Sequence, residues 1–257
     1  MFNIAKTYRD EELYCILDQI RKLFNSAEKE SNFKKIAEEN NIHDAVWALI
    51  MLSYRINRLC GSVLSCKEYY ASAIIYRSLI EHFFKRLYIF LSCVKTGDGI
   101  AKDYTSSEHM LSEMLKKIQK SQWPSPKLAE GLENLRRDSQ KTAEKFGFNE
   151  VSKSILKILP EEDRREGVDM LRSFMVQYST LSSYVHAGPM AVLDLKEKPK
   201  KNIDMSCMFL TIVAYNDTVK LLSSYPSEHQ NKLKVLAKEM HEKVGKALAI
   251  YKKWFVS

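Results

Sequence analysis

Glycine and proline are scarce in this chain, 8 and 6 of 257 residues, and no Gly- or Ser-rich tract runs through it. That excludes an obvious flexible linker and argues for long elements, short connections and a single domain over 1–257. The 5 cysteines, Cys15, Cys60, Cys66, Cys93 and Cys207, are odd in number and contain no C-x-x-C pair. Neither a disulfide framework nor a zinc site is indicated, and a reduced, cytoplasmic setting is expected. No long apolar run occurs either. No uncharged piece between Tyr69 and Val94 is longer than Leu87 to Val94, far short of the roughly 20 residues that span a bilayer. The opening MFNIAKTYRDEE lacks the apolar core and cleavage site of a secretory leader, so the expectation is a soluble protein with no membrane partner. Also missing are H-E-x-x-H, a phosphate-cradling glycine loop and a G-x-S-x-G elbow. His109 and Glu113 share a helix face without an evident third ligand, so no metal and no cofactor are expected.

What the chain does have is 45% hydrophobic residues, 28% charged residues and a formal charge of +8. The composition is that of a globular protein, and the charge favours an anionic partner such as RNA, although the Lys and Arg are scattered among Asp and Glu along helical faces. Every strong periodicity is near 3.6, which predicts an all-α, single-domain bundle of about seven to nine helices. Helices are expected over Asp10–Asn25, a short one at Phe33–Glu38, Ile42–Val63, Tyr69–Val94, Val151–Leu159, Val168–Val185, Ile203–Leu222 and Leu233–Phe255. The second and third long ones should form an antiparallel hairpin, with Gly97 and Gly99 marking the exit. A more polar peripheral helical pair, about 100–148, carries thin stripes at Leu111–Ile118 and Leu128–Leu135, parted by Pro124 and Pro126. Pro160 and its acidic neighbours look like a helix start, and Met190–Asp204 reads as a loop with a basic run.

Tyr69 to Val94, YYASAIIYRSLIEHFFKRLYIFLSCV, is apolar around nearly its whole circumference, as a buried central helix is. Its polar exceptions, Arg77, Glu81, His82, Lys85 and Arg86, need partners or a use. Arg77 and Glu81 are four apart and can pair within the helix, either as a structural ion pair or with Glu81 orienting Arg77 toward an anion. Further on, Tyr178, Ser182 and His186 form a four-spaced polar stripe, YSTLSSYVH, where packing alone would call for apolar residues. His186 stands at a helix C-terminus, where the dipole favours imidazolium. There it either acts as an acid and anion holder or caps the last carbonyls. Each stripe needs a partner, so the two are expected to face one another across a helix interface.

R-S-L-I-E in a long apolar helix, followed about a hundred residues later by Y-x3-S-x3-H-A-G, resembles a bacterial all-helical family known only as a domain of unknown function, over roughly Ile42 to Leu222. Such proteins are similar to the HEPN group of helical domains, many of which are metal-independent RNA endonucleases of toxin and antiviral systems. The HEPN hallmark is Arg, four to six residues, then His, and Arg77-Ser-Leu-Ile-Glu-His82 has that spacing. Ser78 stands where the group usually has a different polar residue. A regular helix also puts His82 about 140° from Arg77, which makes His186 the better partner for Arg77 and His82 the second. The resemblance implies an RNA-cleaving enzyme with Arg77, Glu81, His186, Tyr178, Ser182 and His82 at its site, and a homodimer or a defence-system protein as partner. The other reading is a helical adaptor or regulatory module in such a system, its polar cluster structural. Lys196, Lys198, Lys200 and Lys201 could grip phosphates beside His186 or form a solvated loop.

Overall fold

Three of the breaks between helices fall at residues with positive φ, Asn32, Asn41 and Gly97. The structure, a computed structural model, describes residues 12–120, 144–159, 164–187 and 200–256. It contains α1 (Glu12–Ser31), α2 (Phe33–Glu39), α3 (His43–Ser65), α4 (Tyr69–Thr96), α5 (Gly99–Lys120), α6 (Phe148–Ile158), α7 (Arg164–Ala187), α8 (Lys200–Ser223) and α9 (Gln230–Val256). Among the described residues there is no strand, and the all-α expectation holds. Asn32, at φ 43°, separates α1 from α2, and its side chain accepts the N–H of Lys35 at 3.3 Å. Asparagine is among the few residues that visit this left-handed region readily. Gly97, at φ 83°, ends α4, and without a Cβ it does so at little steric cost. The next residue, Asp98, accepts the N–H groups of Asp44 at 3.1 Å and Ala45 at 2.6 Å. It thereby caps α3, whose own N-cap residue, Ile42, supplies no side-chain bond.

The core is one continuous apolar cluster drawn from all nine helices. Helices α3 and α4, joined by only three residues, pack as a hairpin. Helix α4 also touches α5, α6, α7 and α8, so it holds the central position its sequence predicts. Helix α8 shares that position, with every residue from Ile203 to Ile212 buried beneath α1, α3, α4 and α9. Aromatic rings lock α8 to its neighbours: Phe24 of α1 lies 4.5 Å from Tyr215, and Tyr251 of α9 stacks on Phe209 at 4.6 Å. Each such ring contributes roughly 1.5–3 kcal/mol by leaving water.

Several boundaries differ from the sequence expectation. Helix α1 runs past Asn25 to Ser31 because Ala27 and Ser31 continue its buried face. Helix α8 begins inside the expected loop, where Lys200 pairs with Asp204 one turn on at 2.8 Å. Of the peripheral pair, only α5 is described, and its buried Ala101 and Tyr104 tie it to the core. Leu128–Leu135, Pro124, Pro126 and the expected helix start at Pro160–Asp163 lie outside the described residues.

Candidate functional site

One edge of α4 does not enter the dry core. Arg77, Glu81 and Lys85 form one i,i+4 row and Ser78 and His82 the row beside it, together a strip about 140° wide, and all five are half-buried. Across from this strip, α7 presents Tyr178 and Ser182. Arg77 Nε donates to Ser182 Oγ at 2.8 Å, and Arg77 Nη2 donates to the Tyr178 hydroxyl, also at 2.8 Å. The Ser182 hydroxyl donates in turn to the Tyr178 carbonyl at 2.8 Å. The two polar stripes expected from the sequence therefore meet. The guanidinium lies 4.6 Å from the Tyr178 ring centre, within cation–π range. That ring stacks on Phe148 of α6 at 3.6 Å, and Phe148 packs against Phe84. An apolar wall thus holds the tyrosine whose hydroxyl orients Arg77.

Glu81 is engaged differently from the sequence expectation. Its carboxylate accepts from Lys85 Nζ at 2.9 Å, and the Arg77–Glu81 ion pair does not form. Lys85 satisfies the carboxylate from one turn on, while α7 supplies Arg77 with two hydroxyl acceptors. Burial raises the Tyr178 hydroxyl above the ordinary tyrosine pKa, Glu81 adds to this, and Arg77 opposes it.

His82 Nδ1 lies 2.8 Å from the Ser78 carbonyl. A carbonyl can only accept, so Nδ1 carries the proton and Nε2 of the neutral ring is the acceptor. Burial holds this histidine below its ordinary pKa, and the charges of Lys85 and Arg55 push the same way against the Ser78 carbonyl and Glu81. Beyond it, Arg55 of α3 pairs with Glu108 of α5 at 2.7 Å, and Tyr104 donates to the same carboxylate at 3.3 Å.

His186 belongs to α7, one turn beyond Ser182, and its side chain lies outside the described residues, as do Lys196 and Lys198. Lys200 does not serve as part of a free basic run, because Asp204, almost wholly buried, neutralises it.

On α4's other face, Arg86 is fully buried. Its Nε donates to Ser53 Oγ at 2.9 Å, its Nη2 to Thr218 Oγ1 at 2.7 Å, and its Nη1 meets Asp217 at 3.3 Å. Burial pushes the guanidinium down and the Asp217 carboxyl up, each opposed by the other's charge. Arg86 stands out in the sequence as a charge in an apolar helix. Ser53 and Thr218, polar intrusions into the faces of α3 and α8, were the available signal for its partners.

Chemically, the half-buried strip offers a cation held by neutral groups. Among the described residues no carboxylate lies within ion-pair distance of Arg77, whose bonds go to the Ser182 and Tyr178 hydroxyls. In these residues there is also no group of three or more side chains able to hold a metal ion, and no helix long and apolar enough to cross a membrane. Fold and site together define a helical bundle with a half-buried arginine–histidine strip. No family model, curated protein or solved structure matches the chain.

Proposed function

We propose that this chain is an HEPN-like helical protein that binds RNA and cleaves it without a metal, with Arg77 holding the phosphate and a histidine moving the proton. The observation that supports this most is the state of Arg77: two of its five N–H groups are spent on neutral hydroxyls, and none is met by a described carboxylate. An arginine fixed in this way is oriented but not neutralised, as a phosphate-binding group must be. In the proposed reaction a ribose 2′-hydroxyl attacks the adjacent phosphorus while histidine takes its proton. The 5′-oxygen leaves with a proton, and a 2′,3′-cyclic phosphate forms. Arg77 stabilises the charge that builds on the phosphorane. His82, neutral and with Nε2 as acceptor, suits the base. His186, on the same helix as Ser182, is the second histidine for the leaving group. The resemblance to the HEPN group supports a bacterial toxin or antiviral system as the setting.

A second reading, a non-catalytic helical adaptor, is favoured by one observation: the Arg77 bonds to Tyr178 and Ser182 tie α4 to α7, a role that needs no ligand. Purified protein incubated with labelled single-stranded RNA in EDTA separates the two. Fragments ending in cyclic phosphate, lost in Arg77→Lys and in a histidine variant that still folds, are the expected result. Intact RNA with wild-type protein leaves the adaptor.

A further inference from the structure

Helix α9 carries 7 Lys against 2 Glu, a formal +5 of the chain's +8. Its apolar side is already used, since Leu233, Met240, Ala247 and Tyr251 are buried against the bundle. The lysines at the edges of that contact are committed as well. Lys232 pairs with Glu30, and Lys243 reaches Gln19 at 2.7 Å and Glu239 at 3.6 Å. Lys234, Lys238 and Lys246 point the other way. All three are exposed, and no described carboxylate lies within ion-pair distance of any of them. They extend over about 18 Å of the helix, with exposed Gly245 between Lys238 and Lys246 and two exposed acidic neighbours, Glu239 and Glu242, of which Glu239 is engaged by Lys243 at 3.6 Å. Exposed Lys252 and Lys253 follow at the helix end.

We propose that this outward face of α9 is a docking surface for the phosphate backbone of RNA. The proposal rests on the reading that the chain acts on RNA, and adds where the strand is held away from Arg77. The occupant follows from charge and from what the face lacks. An interfacial membrane helix needs a free apolar side bearing residues such as Trp, Phe or Leu, and here that side is spent on the core. A protein partner needs a large apolar or aromatic anchor, yet Val235 is the exposed large hydrophobic residue of the described part of α9. Lys234, Lys238 and Lys246 on a rigid rod suit a polyanion read by charge alone.

The test is RNA binding by the full chain, measured with an unstructured RNA across a salt series. It compares wild type, the triple variant Lys234→Gln/Lys238→Gln/Lys246→Gln, the matching triple Lys→Arg variant, and Arg77→Lys. The lysines are exposed, so thermal melts of the variants should coincide with wild type. The Gln variant is expected to bind on the order of tenfold or more weakly at low salt, with the slope of log K against log salt shallower by roughly two, as loss of three single-strand phosphate contacts requires. The Arg variant should restore both. Arg77→Lys should lose cleavage and keep the salt slope, so failure of catalysis and failure of this surface are told apart. An unchanged slope in the Gln variant overturns the proposal. So does wild-type protein that sediments with phosphatidylserine vesicles and leaves RNA unbound.

Discussion

Arg77 and Arg86 stand nine residues apart on one helix, which at about 100° per residue puts them on opposite faces. Arg86 is sealed in, its fork satisfied by Ser53 and Thr218 and its charge met by Asp217. Arg77 is half-exposed and met only by hydroxyls. The arginine that arrives with its own carboxylate is architecture, because an uncompensated charge in a dry core is untenable. The arginine held by neutral groups is tolerated because it reaches solvent. What separates the two arginines of this helix is therefore the company of each charge, not the residue type.

The largest effect should come from Arg86→Ala, which leaves Asp217 and two buried hydroxyls without their partner and should cost about 3–5 kcal/mol, read from urea unfolding. Adding Asp217→Asn should recover part of that loss. Next is Arg77→Ala, which removes two hydrogen bonds to neutral groups and strands no carboxylate, since Glu81 keeps Lys85. At roughly 0.5–1.5 kcal/mol for each bond, the loss should be about 1–3 kcal/mol. Equal destabilisation by the two substitutions would break the comparison.

A smaller effect is expected from pH. The folded-state pKa of His82 is depressed by burial, so below the ordinary histidine value the unfolded chain binds a proton that the native state resists. The histidine's contribution is fully present above that value and is lost as pH falls below it toward the folded pKa. His82→Gln should flatten this acid limb in melts recorded from neutral pH downward. An unaltered limb would place the titrating group elsewhere. Smallest, and independent of either arginine, are two helix glycines: a Cβ at Gly61 or Gly245 meets nothing within 4 Å. Gly61→Ala and Gly245→Ala should each raise stability by about 0.5–1 kcal/mol, visible as a higher melting temperature.

Much of the fold was open to sequence reading because helical periodicity is local. The apolar stripes of α1, α3, α8 and α9 announce themselves within a few turns, as does the near-complete apolar girdle of α4. The stripe of Tyr178 and Ser182 was visible for the same reason, as polar residues recurring where packing alone would place apolar ones. The lone charge of Arg86 was visible too. Helix ends were harder, since the break between α1 and α2 turns on the left-handed backbone of Asn32 and the first turn of α8 is tied by Lys200 to Asp204.

The sequence by itself determined that this protein is a bundle of long helices with polar groups lodged in two of them. It could not determine which partner each polar group takes. Arg77 reaches across 101 and 105 positions to Tyr178 and Ser182, and Arg86 across 131 to Asp217. Pairings at that separation are set by how the helices stack, and the nearest candidate in sequence is a poor guide. Glu81, four residues from Arg77 on the same helix, is claimed by Lys85 because α7 brings Arg77 two hydroxyls at 2.8 Å. Only packing decides that contest, since helical period places side chains around an axis and says nothing of what the neighbouring axis brings to meet them.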